Sequence, residues 1–209
     1  MFNLNSKIYA IADQETCLEN DIDIIDYVKI LFESGIEIVQ YRNKLDNMLF
    51  AGETFNEIIE ITDNKMTYII NDHEKIAQNY LNQANIFLHV GQTDLIKNSS
   101  SSFGRSAHNL LEVKNALNEN PQPEYIGFGA MFSSKTKPEI GSSRGELENV
   151  LDLWEKDIVL IGGITLENIH TLPAGNRIYY ALINDFFVDG NLPLQIEKRV
   201  KKLISSLKQ

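Results

Sequence analysis

The chain has a single cysteine, Cys17, in 209 residues. No intrachain disulfide can form, and a zinc site made of several thiolates is excluded; the expected setting is a reducing cytoplasm. Positive charge is also scarce, with 19 Lys and Arg against 29 Asp and Glu and a formal net charge of −10. Nucleic-acid partners call for a basic face, so none is expected. A local group of cations can still hold an anionic small molecule within a globally acidic protein. No apolar run is long enough to span a bilayer. The opening MFNLNSKIYAIAD carries one lysine and too short an apolar stretch for a signal peptide, so no membrane partner is expected. Linkers and sequence repeats are missing too, and the four serines Ser99 to Ser102 read as a loop tip. Hydrophobic residues at 43% and charged residues at 23% then fit one well-cored domain over residues 1–209.

What is present is alternation. Short apolar, strand-like runs recur at Ile8 to Ile11, Ile36 to Tyr41, Thr67 to Ile70, Ile86 to His89, Tyr125 to Phe128, Ile158 to Ile161 and Ile178 to Ile183. Phe103 to Arg105 is the only stretch able to supply one more. Helical patterns lie between them. Asp21 to Ser34 puts Ile24, Val28 and Leu31 on one face and stops at Gly35. Thr54 to Thr62, Glu74 to Leu81, Asn109 to Leu117, Glu146 to Trp154, Thr165 to Thr171 and Leu192 to Leu207 follow. Apolar strands alternating with helices imply a parallel α/β protein. A doubly wound sheet usually needs fewer strands and a glycine-rich first turn, whereas ADQETCLEND has no glycine. The favoured expectation is an eight-stranded parallel (β/α)8 TIM barrel with tight loops, since such barrels typically need roughly 250 residues.

Polar segments begin where these strands stop: QYRNK (Gln40 to Lys44), IND (Ile70 to Asp72), HVGQTD (His89 to Asp94) and SSKTK (Ser133 to Lys137). They offer the cations Arg42, Lys44 and Lys137 and the carboxylates Asp72 and Asp94. In a barrel the strand ends converge, so Asp72 and Asp94, from adjacent units, can share an ion. Magnesium suits them, because it takes one or two carboxylates and completes its shell with water and substrate phosphate. The cations, with Ser106, fit a leaving pyrophosphate whose charge grows as its bond breaks. IGGIT (Ile161 to Thr165) reads as a strand, two glycines and a helix N-terminus, the local form of a second anion site. Solvated loop residues or a plain tight turn remain the bland alternatives. Of the four histidines, His73 and His170 read as surface residues and His89 as a satisfied buried one. His108, two residues past Ser106, is the candidate for proton transfer or positioning.

With these residues in place, the sequence resembles the thiamine phosphate synthase family across nearly its whole length. QYRNK, IINDH, HVGQTDL, GRSAH, YIGFGAMFSSKTK and IGGI stand in the family's order. The resemblance implies an eight-stranded β/α barrel that joins hydroxymethylpyrimidine diphosphate to thiazole phosphate with Mg2+, releasing pyrophosphate. It implies that Gln40, Tyr41, Arg42, Asn43, Lys44, Asn71, Ser106 and Lys137 hold the pyrimidine diphosphate, with Arg42, Lys44, Ser106 and Lys137 the catalytic group. Asp72 and Asp94 would hold the metal, and Ser134, Lys135, Thr136, Gly163, Ile183 and Asn184 the thiazole phosphate. The implied chemistry is dissociative, with no protein nucleophile, and a homodimer is compatible with it. Departures from the family pattern gather on the thiazole side. Asn184 stands where a serine is common, Ala130 for proline, Ser134 for threonine, and Tyr179 and Tyr180 are unusually bulky. Two other readings fit the resemblance: a thiazole tautomerase with His108 as acid or base, and a non-catalytic phosphate-binding regulator.

Overall fold

The structure, a computed structural model, describes residues 2–45, 48–92, 94, 102–132 and 143–207. Eight parallel strands close into a barrel in chain order. They are β1 (Ile8–Asp13), β2 (Ile38–Arg42), β3 (Thr67–Asn71), β4 (Ile86–Val90), β5 (Phe103–Ala107), β6 (Tyr125–Gly129), β7 (Asp157–Ile161) and β8 (Ile178–Leu182). β8 returns to β1, with Tyr180 beside Ile8 and Leu182 beside Ala10. All eight expected strands are present, and the short Phe103 run does supply the fifth. Helices α1 (Gln14–Glu19), α2 (Ile24–Glu33), α3 (Met48–Ile61), α4 (Glu74–Ala77), α5 (Leu110–Leu117), α6 (Leu147–Leu153) and α7 (Pro193–Ser206) lie between and after the strands. None of the helices among the described residues is long and apolar enough to cross a membrane.

Side chains alternate along each strand, so the apolar runs feed two separate cores. Ala10, Val39, Tyr41, Tyr68, Ile70, Leu88, Ile126, Phe128, Leu160 and Tyr180 pack outward with α2, α3 and α7 residues such as Val28, Leu31, Phe55 and Leu203. Tyr9, Ile11, Ile38, Ile69, Tyr125, Val159, Tyr179 and Ala181 fill the barrel, joined by Phe2. Space for Tyr125 comes from Gly104, where an added Cβ would meet the tyrosine ring at 2.1 Å. Phe2 plugs one end. Its ring lies 5.1 Å from Tyr125, 5.2 Å from Tyr179 and 5.9 Å from Phe87, and its amide donates to Asp157 Oδ2 at 2.7 Å. Phe2→Ala empties that plug and should lower the unfolding free energy by about 3 kcal/mol; urea melts of the two proteins measure it.

Three helical expectations need correction. The first turn holds a helix, α1, because Asp13 caps it by accepting from Thr16 N at 3.1 Å. Glu74 to Leu81 is one α-turn followed by a 3-10 turn at Gln78–Tyr80. Thr165 to Thr171 is not an α-helix, and only Ile169–Thr171 coils, as a 3-10 turn. Asn168 prevents a helix by taking Thr165 N on its own oxygen (2.8 Å) and giving its amide to Gly163 O (2.8 Å). Tyr179 and Tyr180 also lie away from the mouth of the barrel. Tyr179 packs on the Phe2 plug, and Tyr180 faces outward, its hydroxyl donating to Pro173 O at 2.8 Å.

Candidate active site

Register puts polar residues at a common level where the strands end. Asp13 pairs with Arg42 across β1 and β2, and Asn71 with His89 across β3 and β4. Arg42 Nη1 donates to Asp13 Oδ1, while the same carboxylate's other oxygen takes Thr16 N and, at 2.9 Å, Thr16 Oγ1. Asp13 is buried, and the Arg42 side chain is 26% exposed, so the guanidinium is anchored on one side and open on the other. Two residues on, Lys44 Nζ stands 3.8 Å from Asp72 Oδ2 with both groups in water. Asn71 Nδ2 donates to that oxygen at 2.6 Å. Asp72 sits in the left-handed region (φ 60°), tolerable for a short polar residue, and its amide reaches His89 O at 2.9 Å.

The next loop carries Asp94, exposed, with Oδ2 accepting from Gly91 N at 2.9 Å. Beneath the loop lies Arg105 of β5, a buried cation whose Nη1 donates to the carbonyls of Gly91 (2.8 Å) and Asp94 (3.1 Å). Its Nε stands 2.6 Å from Glu119. Among the described residues no group of three or more His, Cys, Asp or Glu could hold a metal ion. Two exposed carboxylates from adjacent loops are too few for zinc, but they fit magnesium, which keeps most of its waters.

Below this ring a chain of hydrogen bonds crosses the barrel. Gln40 Nε2 donates to Tyr9 Oη (3.0 Å), and Tyr9 and Tyr125 share a hydrogen bond (3.1 Å). Tyr125 Oη then meets His89 Nδ1 (2.9 Å), and His89 Nε2 meets Ser106 Oγ (3.0 Å). Burial, with Arg105 nearby, pushes the His89 imidazole down to about 4, and burial raises both tyrosines. The chain is therefore neutral at physiological pH. His89 binds no proton in the folded state until pH approaches 4, whereas unfolded histidine takes one near 6.5. Stability should then fall as pH drops through that window, by up to about 3 kcal/mol. His89→Asn should flatten this part of the urea-midpoint profile between pH 7.5 and 4; an unchanged slope would assign the loss to other groups.

Of the expected site residues, Gln40, Arg42, Lys44, Asn71, Asp72, Asp94 and Ser106 lie at the ends of β2 to β5. Gly163 follows β7 with φ 63°, after Gly162 at φ 99°. A Cβ on Gly162 would lie 2.6 Å from that of Ala130. The expected helix N-terminus after these glycines is absent, and the amides of Thr165 and Leu166 are already taken by Asn168 and Asp185. Ile183 follows β8 and packs against the inner core, and Asn184 beside it is exposed. Tyr41 is corrected: it is fully buried in the outer layer, its ring centre 6.0 Å from Phe55, and does not line the mouth. Asn43 shapes the loop, donating to Tyr41 Oη (3.1 Å) and accepting from Leu45 N (3.0 Å). His108 is 42% exposed, with Nδ1 3.1 Å from Glu112 on α5. Ser134, Lys135, Thr136 and Lys137 lie outside the described residues.

Asp13, Tyr9, Tyr125 and Arg105 were not among the expected site residues. Asp13 was signalled by a strand-ending Asp with Thr three residues on, a cap pattern. Arg105 was signalled by a charge inside a five-residue strand.

The thiamine monophosphate synthase family matches residues 8–183. A thiamine-phosphate synthase of Methanobrevibacter smithii is 30% identical, over 91% of this chain and 86% of the relative. One from Caldivirga maquilingensis is 31% identical, over 95% of this chain and 97% of the relative. One from Lawsonia intracellularis is 29% identical, over 94% and 92%. Thiamine phosphate pyrophosphorylase from Pyrococcus furiosus shares the fold with a TM-score of 0.77 and 17% identity, over 100% of this chain and 98% of that one.

Proposed function

The chain belongs to the thiamine monophosphate synthase family of transferases, and on that premise we propose that it joins hydroxymethylpyrimidine diphosphate to thiazole phosphate. The observation that carries this reading is the mouth of the barrel: an anchored Arg42 and a solvent-facing Lys44 beside two exposed carboxylates on neighbouring loops. That is equipment for a diphosphate, with cations for its oxygens and carboxylates for a magnesium ion.

In the proposed reaction the bond from the pyrimidine methylene carbon to the diphosphate oxygen breaks. Pyrophosphate leaves with the electron pair, and the thiazole nitrogen's lone pair forms the new C–N bond. Arg42 and Lys44, with Lys137, stabilise the charge that gathers on the leaving group. Magnesium held by Asp72 and Asp94 would neutralise further charge on those oxygens. Gln40 and Ser106 end the neutral hydrogen-bond chain and present polar atoms of fixed position to an uncharged heterocycle. The thiazole phosphate is assigned to Gly163, Ile183 and Asn184, with Ser134, Lys135 and Thr136. Much of the rate then comes from aligning two rings rather than from covalent catalysis. Cys17 fits that picture: its thiol is buried in the outer layer and pushed up to about 12, chiefly by burial, so it is no nucleophile.

The test is a coupling assay with purified protein, both phosphorylated substrates and magnesium, with and without chelator. Thiamine phosphate and pyrophosphate should form only with the metal. A folded protein that forms neither would overturn the reading; thiazole isomerisation lost in His108→Asn would then point to tautomerase chemistry.

A further inference from the structure

A buried ion pair joins the loops after β7 and β8, and none of the chemistry above uses it. Asp185 lies in the 3-10 turn Asn184–Phe187, and Arg199 in α7; their side chains are 1% and 4% exposed. The guanidinium meets both carboxylate oxygens, Nε to Oδ2 at 3.1 Å and Nη2 to Oδ1 at 2.7 Å. Nη2 also donates to Glu167 at 3.0 and 3.1 Å, and Asp185 Oδ2 accepts from Leu166 N at 3.2 Å. One carboxylate thus ties together the Gly162–Gly163 loop, the turn that begins at Asn184 and the last helix.

An apolar pair of the same size would pack as well and escape the cost of desolvating two charges. What a two-point ionic fork adds is a fixed angle. The glycine loop needs that, because both glycines take left-handed conformations and no α-helix follows to stiffen them. We propose that Asp185 and Arg199 are positioning residues for the second substrate's phosphate, holding the amides around Gly163 in register with Asn184. This rests on the reading that the thiazole phosphate seats between those loops.

Asp185→Asn keeps the shape and an acceptor for Leu166 N but loses the charge. It should raise KM for thiazole phosphate about tenfold or more, as small misplacements of a bound group do, with KM for the pyrimidine diphosphate unchanged. Hydrogen exchange at residues 162–166 should quicken, and inorganic phosphate should protect these amides less than in the wild type. The double variant Asp185→Leu/Arg199→Met separates positioning from stability: it leaves no unpaired buried charge, so urea melts should recover most of the midpoint lost in Asp185→Asn, short of the bond that Leu166 N gives up, while the raised KM persists. If the double variant also restores KM, or if both substrates' KM values rise together, the pair is structural and the proposal fails. Wild-type protein without coupling activity would defeat the parent reading instead. The phosphate-protection comparison would still decide the positioning role.

Discussion

Arg42→Ala should lower kcat/KM for the pyrimidine diphosphate about 10²- to 10³-fold, the usual effect of deleting one donor aimed at developing charge. Arg42 stands at the end of β2 with one face on Asp13 and the other open. A lysine would not replace it, because a point charge cannot hold Asp13 and a phosphate oxygen in one plane. Asp13→Asn isolates the anchoring. Asparagine caps a helix as well as aspartate does, so its one oxygen can keep the bond from Thr16 N and α1 survives, while the guanidinium loses both the charge and the acceptor oxygen that hold it. Its expected cost is about tenfold in kcat/KM, with the fold and α1 retained in circular dichroism. Full activity in Asp13→Asn would mean that Arg42 is held by something else. Full activity in Arg42→Ala would remove it from the diphosphate site.

The strands were legible because a barrel strand buried on both faces is a plain apolar run, and a short stretch of mostly aliphatic and aromatic side chains before a polar stop announces it. Even β5, FGRSA, was placed by elimination. α1 was not legible: only Thr16 and Cys17 of its six residues are buried, so no apolar period marks it. The helix expected at Thr165 failed because Asn168 turned its side chain on the local backbone, a competition that apolar spacing does not report. In the site, groups at strand ends could be found one strand at a time. Links between distant strands could not. Tyr9 and Tyr125 meet across 116 residues of sequence, and Arg105 serves a loop from the outward face of its strand, where apolar residues are the rule.

Asp94→Ala should abolish most magnesium-dependent turnover, about a hundredfold or more for losing one of two carboxylate ligands, while the protein stays folded. Asp94 is exposed, so its removal leaves no cavity, and Arg105 still grips the loop carbonyls from below. The carboxylate has a second task, however, in accepting from Gly91 N. Asp94→Asn separates the two, since an amide oxygen can keep that bond but gives up the charge a hard cation needs. If the metal reading holds, Asp94→Asn should be as damaged as Asp94→Ala, and both should bind Mn2+ more weakly by spin-resonance titration in the presence of pyrophosphate. Asp94→Asn with normal activity and normal Mn2+ binding would show that loop geometry is the residue's whole contribution. The metal would then have to rest on Asp72 and the substrate's own phosphates. Arg105→Met bears on the same loop from the other side. It keeps both carboxylates but releases the carbonyls beneath them, so its Mn2+ affinity should fall less than that of Asp94→Asn. A greater fall would mean that the position of the loop governs metal binding more than the charge it carries.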